Sequence, residues 1–347
     1  MNINQREKSF AAIWWEDLSG PRRFLVDTAK KLSAGKSVVL ILPENVPWVD
    51  TMRLTLENLL RRGTQSIKVI SANEISVEPP KYVLDEFCAN KDGFRPFNKK
   101  AYAKFLAERT GIALNDTCLW IRDAAVEKVK QWHAFITDYH DALKDRRGGV
   151  FLLEATSTFS GGNRHGVELM AYDKNISDYD SFAFNIFTAA DFGNENRLMK
   201  QYLAELVSAL TKGNVEFGSA CIAGRKDFLS DPHATFEKIL REGNFTTDKT
   251  PEDIEQDIWS TQLKLVFPLI ENFRRDFIRR YETEIHTATE DLEIGALYKI
   301  FNNKRWLLVG NDGDDLELYR EARNKLAHLR TLPFDELEKI FDKNSRR

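Results

Sequence analysis

Residues 37–42, Ser-Val-Val-Leu-Ile-Leu, decide the fold. The run is short, continuous and rich in β-branched side chains, which is how a strand buried on both faces reads. Pro43 terminates it. Ahead of it, Phe24, Leu25, Ala29 and Leu32 recur at helical spacing from Pro21 to Leu32, and Gly35 stops that helix. Behind it, Trp48 to Arg62 reads as a helix with Met52, Leu54, Leu56, Leu59 and Leu60 inward, and Ser66 to Ile70 as a second strand. Helix, strand, helix, strand is the grammar of a parallel α/β sheet. It continues through a helix at Lys99 to Thr110, a strand at Cys118 to Ile121, a helix at Ala124 to Leu143, and a strand at Val150 to Ala155. A fifth strand is expected at Ser181 to Thr188 (SFAFNIFT), then helices at Leu198 to Leu210 and His233 to Arg241.

The stretch Gly243 to Pro251 (GNFTTDKTP) is polar and turn-rich, and a domain boundary is expected there. The reading therefore divides the chain into an α/β domain over 1–245, with a mostly parallel sheet, and an all-α domain over 252–347. In the latter a long helical pattern runs from Glu252 to Ile285, and Pro268 should kink or split it. A short helix at Asp291 to Phe301, a loop at Asn302 to Asp315, a helix at Leu316 to Arg330 and a terminal helix at Phe334 to Phe341 follow.

The chain of 347 residues is long enough for two domains, and 42% hydrophobic with 30% charged residues is a soluble globular balance. The net charge of -3 supplies no global positive field, so any nucleic-acid contact needs a local patch or a partner. Cys88, Cys118 and Cys221 are far apart and odd in number, which argues against a disulfide framework and for a reduced, cytoplasmic setting. The polar MNINQREKSF start reads as no signal peptide, and no apolar run approaches membrane-span length, so no membrane partner is expected.

The sharpest chemical lead is LELYREARNKLAHLR, residues 316–330, with Arg323, Asn324 and His328. Residues four apart share a helix face, so Asn324 and His328 stack, whereas Arg323 points sideways and depends on its reach. Imidazole side chains take and give protons near neutral pH, and a guanidinium grips phosphate oxygens and stabilises developing charge. RNA carries its own nucleophile, the 2′-hydroxyl, so scission needs acid–base help and charge stabilisation without a metal. The structural alternative stands beside this: His328 could favour the helix dipole at the C-terminal end, Arg323 could pair with Glu317, Glu321 or another helix's carboxylate, and Asn324 could be buried and hydrogen-bonded.

RNKLAH, an Arg-x4-His string with Asn after the Arg in a terminal helical bundle, resembles the HEPN superfamily of α-helical ribonucleases and RNA-binding modules. WSTQLKLVFPLIENFRRDFIRRY and LEIGALYKIF are similar to the earlier helices of such a bundle. The resemblance covers about the last quarter of the chain. It implies that Arg323 and His328 are the catalytic pair, that Asn324 is a polar helper, that RNA is the partner, and that the active form is a dimer whose two motifs face each other. It equally implies that such a domain can serve without catalysis, as a dimerisation or binding module. Chains that join a sensor-like domain to a C-terminal HEPN domain resemble toxins and effectors of prokaryotic antiviral defence.

Gly35-Lys36-Ser37 is no phosphate loop. A phosphate loop needs a strand before its glycines and a helix opening at Lys-Ser, and the first glycine would fall at Lys30. The order of elements still resembles a P-loop NTPase core that has lost the loop, with VFLLEA closing on Glu154 and LWIRD closing on Asp123. Ligands of open α/β sheets sit at strand C-terminal ends, which makes Glu44, Asn45, Asp123, Glu154 and Thr156 the candidate nucleotide or ligand edge. A capping or paired carboxylate is the plain alternative for Glu154 and Asp123. The loop Ser157 to Gly166, with Arg164 and His165, reads as an anion binder or a flexible crossover turn. His133 and His140, seven apart on one helix, lack the companions of a metal set, and neither metal nor cofactor is expected. Trp14, Trp15, Trp48, Trp120 and Trp132 read as core or groove residues, and Arg22, Arg23, Arg61 and Arg62 as solvated helix faces.

Overall fold

The computed structural model of the chain describes residues 10–62, 66–109, 111, 113–114, 116–144, 146–191, 193, 195–285 and 292–345. Thr110 and Asp291, two expected helix ends, lie outside them, as do residues 1–9. The chain packs as two compact units, Met1–Asp180 and Ser181–Arg347. The division falls ahead of the stretch around 245–252 where composition changes.

The first unit opens with a single π-helical turn, Ile13–Asp17, that buries Trp14 and Trp15. Helix α1 (Ser19–Ser33) ends on Gly35 at φ 81, where the Gly35 N–H bonds to Leu32 O (3.0 Å) and the Lys36 N–H to Lys31 O (3.1 Å). Those two bonds are a Schellman stop, which calls for glycine because its missing Cβ removes the left-handed penalty. Gly35-Lys36-Ser37 is thus a helix terminus feeding β1 (Ser37–Leu42). There follow α2 (Val49–Arg61), β2 (Ser66–Ser71), α3 (Pro79–Phe87), α4 (Lys99–Glu108), β3 (Thr117–Arg122), α5 (Val126–Leu143), β4 (Val150–Thr156), β5 (Val167–Ala171) and the short α6 (Tyr172–Asn175).

All strand pairs are parallel, in the order β2-β3-β4-β1-β5. The register Leu40↔Glu154 and Trp120↔Leu152 sets Leu40, Trp120, Leu152 and Glu154 on one face. Val39, Leu119, Ile121, Phe151 and Leu153 occupy the other, packed with Val83, Leu106, Trp132 and Tyr139 of the α3–α5 layer. Both faces of the inner strands β1, β3 and β4 are covered, which is why they read as apolar runs, whereas the edge strand β2 is largely exposed.

The fifth strand is not where expected. Residues 181–188 lie in helix α7 (Asp178–Ala190), whose Ser181, Phe184, Asn185 and Thr188 are buried. That i, i+3, i+4, i+7 pattern is helical, and alternation of aromatic and polar residues masked it. The strand at the sheet edge is Val167–Ala171, too short and too interrupted by Glu168 to declare itself. Glu168 faces Lys31 and Lys36, which pair with it.

The second unit carries only helices among its described residues: the rest of α7, then α8 (Arg197–Thr211), α9 (Val215–Ala223), α10 (Arg225–Ser230), α11 (Pro232–Glu242), α12 (Pro251–Arg280), α13 (Ile294–Phe301), α14 (Asp312–Ala327) and α15 (Phe334–Ser345), with a 3₁₀ turn at Asn302–Leu307. One continuous core joins Tyr202 and Leu206 of α8 to Val266 and Ile270 of α12 and to Leu326 and Ile340 beyond. The polar 243–251 stretch belongs to this unit: Phe245 stacks on Phe217 at 4.7 Å, and Thr250 with Asp253 forms the capping box that starts α12.

Helix α12 runs through Pro268 without splitting. Pro268 and Lys264, whose carbonyl loses its intrahelical donor there, are both exposed, so water can satisfy that oxygen. Buried Gln262 fixes the helix to its surroundings: it donates to Tyr202 Oη (3.2 Å) and Leu332 O (3.1 Å) and accepts from the Leu332 N–H (2.6 Å).

Candidate functional site

Two places carry chemistry, one in each unit. In the second unit, α14 ends at Ala327, three residues earlier than its pattern suggested. The cause is Leu329 at φ 56: its N–H bonds to Leu326 O (3.3 Å), and the Arg330 N–H bonds to Lys325 O (2.9 Å). This is again a Schellman stop, built on leucine where glycine is cheaper. His328 is the C-cap, outside the helix proper. Its N–H reaches Asn324 O at 3.2 Å, so the two residues adjoin. Both side chains are exposed, and Arg323 is half-buried.

The neighbours of these three residues form the core. Ala322 and Leu326 are buried, the Trp259 indole donates to Leu326 O at 2.9 Å, and Lys325 pairs with Glu336. Helix α13 lies against α14: the Arg320 guanidinium sits 3.7 Å over the Tyr298 ring, and Arg323 Nη2 donates to Glu293 Oε2 at 2.8 Å. Arg323 thus pairs with another helix's carboxylate, and neither Glu317 nor Glu321 holds it: Glu317 meets Arg305, and Glu321 meets Arg320. Asn324 is exposed rather than buried. The arrangement offers one guanidinium, one amide and one imidazole at the surface of a helix end.

In the first unit the chemistry lies where β1 and β4 are neighbours. From β1 the chain crosses β4 and β3 to reach β2, and from β4 it crosses β1 to reach β5. Connections leave these adjacent strands in opposite directions, which makes their carboxyl ends the topological switch point of the sheet. The loop after β1, Pro43 to Trp48, holds two prolines and no glycine. Two of its six residues therefore lack the N–H that a phosphate cradle uses. The loop is tied down by the Trp15 indole, which donates to Pro47 O at 2.8 Å, and it closes on Trp48 at φ 43.

Arg53 fills the space beneath α2. Its Nε and Nη2 donate to Glu154 Oε1 (3.1 Å) and Oε2 (2.6 Å), and the Trp120 indole donates to Glu154 Oε1 at 3.0 Å. Arg122 stands 3.8 Å from the same carboxylate and 3.9 Å from the centroid of the Trp120 ring. Glu154 is buried and Asp123, 3.5 Å from Arg53, is exposed at the rim. Burial opposes the Arg53 charge, but its bonds to Glu154 and the charges of Glu154, Asp123 and Asp50 outweigh that and raise its pKa. Arg122 goes the other way: burial lowers its pKa, and its buried Nε has no hydrogen-bond partner.

Of the expected ligand edge, Glu154 and Asp123 therefore meet at Arg53. Glu44, Asn45 and Thr156 take no part in that cluster. A separate cavity of about 630 Å³ opens at the ends of β1 and β5, lined by Pro43, Ser157, Phe159, Asn163, Leu169 and Lys174 among others. Sequence reasoning missed Arg53 and Arg122. A signal was present: Arg53 falls three and seven residues before Leu56 and Leu60, an arginine on an apolar stripe, and Glu154 is the lone charge in an apolar strand.

The two histidines of α5 diverge. His140 is buried and shares a 2.7 Å hydrogen bond with Ser37 Oγ, which also accepts the Phe151 N–H at 2.8 Å. Burial, with His165 nearby, pushes its pKa down to about 4. His133 packs its ring at 5.2 Å from Phe159, and burial followed by Arg164 lowers its pKa. Arg164 and Val167 exchange backbone hydrogen bonds, and Gly166 at φ 69 lets the chain pass against the His140 ring, so this loop is a tight lead into β5. Among the described residues no group of three or more His, Cys, Asp and Glu is arranged to hold a metal ion, and no helix is long and apolar enough to cross a membrane.

No protein family matches the chain, and neither does any curated protein. Among solved structures the chain is similar to Cdc6p from Pyrobaculum aerophilum, at 11% identity over 100% of this chain and 95% of that one, with a TM-score of 0.33. The fold assignment, a parallel α/β unit and a helical unit, rests on the chain's own geometry.

Proposed function

We propose that the second unit is a HEPN-type endoribonuclease module and the first a degenerate NTPase-like sensor or docking unit, together an effector of the kind used in prokaryotic antiviral defence. The observation that carries the reading is the outer surface at the end of α14. Asn324 and His328 stand there exposed, with half-buried Arg323 beside them, while Ala322 and Leu326 anchor the core. In RNA the 2′-oxygen would attack the adjacent phosphorus as the bond to the 5′-oxygen breaks. His328 would take the 2′-hydroxyl proton or protonate the leaving oxygen, and Arg323 would hold the charge on the phosphoryl oxygens. A second copy facing the first would supply the other proton-transfer group. The products are a 2′,3′-cyclic phosphate and a 5′-hydroxyl.

The test is incubation of the purified protein with total RNA and tRNA in chelator, beside Arg323→Ala and His328→Ala. Cleavage that ends in cyclic phosphate and disappears in both variants is expected. Undiminished cleavage by His328→Ala overturns the assignment.

A second reading, a non-catalytic adaptor that dimerises or assembles a complex through its helices, is favoured by two ion pairs. Glu293 occupies Arg323, and Arg53 occupies Glu154 in a crevice whose entry loop lacks a phosphate cradle. Persistent dimers with no cleavage of any RNA would select it.

A further inference from the structure

Glu293 is the N-cap of α13, and its backbone carbonyl accepts from Ala296 (2.9 Å) and Leu297 (3.1 Å). N-caps favour Ser, Thr, Asp and Asn because a short side chain can turn back onto the first free amides. The Glu293 side chain makes no such bond. It turns outward and takes the Arg323 guanidinium at 2.8 Å, while remaining 70% exposed itself. Without that capping bond the carboxylate offers the helix only its charge at the N-terminal end of the dipole, and its hydrogen-bonding capacity is used on Arg323.

We propose that Glu293 is a competing carboxylate: it occupies the phosphate-gripping group of the site, and an incoming RNA phosphate must displace it. The inference rests on the ribonuclease reading and adds to it the residue that sets substrate affinity. An exposed pair with a 70% exposed partner is weak enough to exchange, since water and salt screen both charges. The same carboxylate, once displaced, stays close enough to repel a second phosphate. Glu293 is therefore a brake on binding rather than part of the chemistry. Glu321, one turn from the same site, pairs with Arg320 instead and makes no bond to Arg323. It supplies the control for net charge alone.

The experiment is fluorescence anisotropy of a labelled single-stranded RNA whose 2′-oxygens are methylated, so that it binds without being cut. Full-length protein, Glu293→Gln, Glu321→Gln, Arg323→Gln and the double variant Glu293→Gln/Arg323→Gln are titrated in chelator at several salt concentrations. Glu293→Gln should bind about two- to five-fold tighter than the parent, the range that releasing one exposed pair supports, with a steeper salt dependence. Glu321→Gln should gain less, and the double variant should bind no better than Arg323→Gln. Equal or weaker binding by Glu293→Gln, or an equal gain from Glu321→Gln, overturns the role of Glu293 while leaving the ribonuclease reading in place. Absence of binding by parent and Glu293→Gln alike overturns both. Unchanged melting temperature across the exposed-carboxylate variants separates the effect from a loss of fold.

Discussion

Replacing Arg53 by Met tests whether the switch-point crevice is closed by its own ion pair. The variant keeps the aliphatic stem and removes the cation, leaving a Glu154 side chain only 8% exposed. Breaking a buried pair by deleting one partner costs about 3–5 kcal/mol, because the remaining charge keeps its desolvation penalty. Two groups soften that here: the Trp120 indole at 3.0 Å and Arg122 at 3.8 Å still face the carboxylate. The expected loss is thus about 3 kcal/mol, at the lower end of that range. Glu154→Gln should cost about 1–2 kcal/mol, since the amide oxygen can still accept from Trp120 and the freed Arg53 can turn to Asp123 and water. The double variant should recover only part of the Arg53→Met loss, because Arg53 and Glu154 leave together but Arg122, 3.8 Å from the carboxylate, loses its counter-charge. Urea unfolding followed by tryptophan fluorescence reads this out, as Trp14, Trp15, Trp48, Trp120 and Trp132 all lie in the first unit and dominate the seven tryptophans. A loss below about 1 kcal/mol for Arg53→Met would mean that water already reaches the pair. The crevice would then be open to a ligand, and the argument for a self-filled site would fail.

Further outcomes follow from single contacts. His140 has its pKa lowered from the ordinary 6.5 to about 4. Between those values the unfolded chain binds a proton that the folded chain does not, so stability is lost as pH falls through this window, by about 3 kcal/mol in full. Denaturation of His140→Met against its parent at pH 7 and pH 4.5 should show that dependence reduced. Gln262→Leu removes three hydrogen bonds and strands Tyr202 Oη and both backbone groups of Leu332, which should cost about 3 kcal/mol in thermal unfolding of the second unit. Leu329→Gly relieves a left-handed leucine and should stabilise by up to about 1 kcal/mol, raising the melting temperature without altering helix content by circular dichroism.

The parallel sheet was legible because its three inner strands, β1, β3 and β4, are apolar runs buried on both faces, which leaves no alternation to confuse with anything else. The β5 edge was not. Strand β5 holds only five residues with a charged glutamate among them, paired with Lys31 and Lys36, and it pairs on one side alone. The aromatic-rich segment 181–188 took its place in the reading because Phe182-type alternation and helical burial of Ser181, Phe184, Asn185 and Thr188 coexist in the same eight letters. Of the two outcomes expected at Pro268, a kink or a split, the helix does not split: Pro268 and the carbonyl it strands at Lys264 lie on the exposed face, where water can replace the lost donor. The 243–251 stretch has linker composition, yet one residue, Phe245, stacked on Phe217, binds it to the helical core.

The same asymmetry governs the two candidate sites. Arg323, Asn324 and His328 could be found from spacing because they lie within six residues at the end of one helix, so local geometry nearly fixes their relation. Arg53 and Glu154 are 101 residues apart and meet only through the crossing of β1 over to β2. What made them findable in principle was a mismatch in each element: a cation on an apolar helical stripe, and an anion in an apolar strand. Neither is stable alone in a sheet covered on both faces, so each demands the other. Glu293 follows the same logic on the surface. It is a residue poorly suited to its own backbone position and well suited to Arg323, and that mismatch between local preference and tertiary use is where a functional constraint is most economically sought.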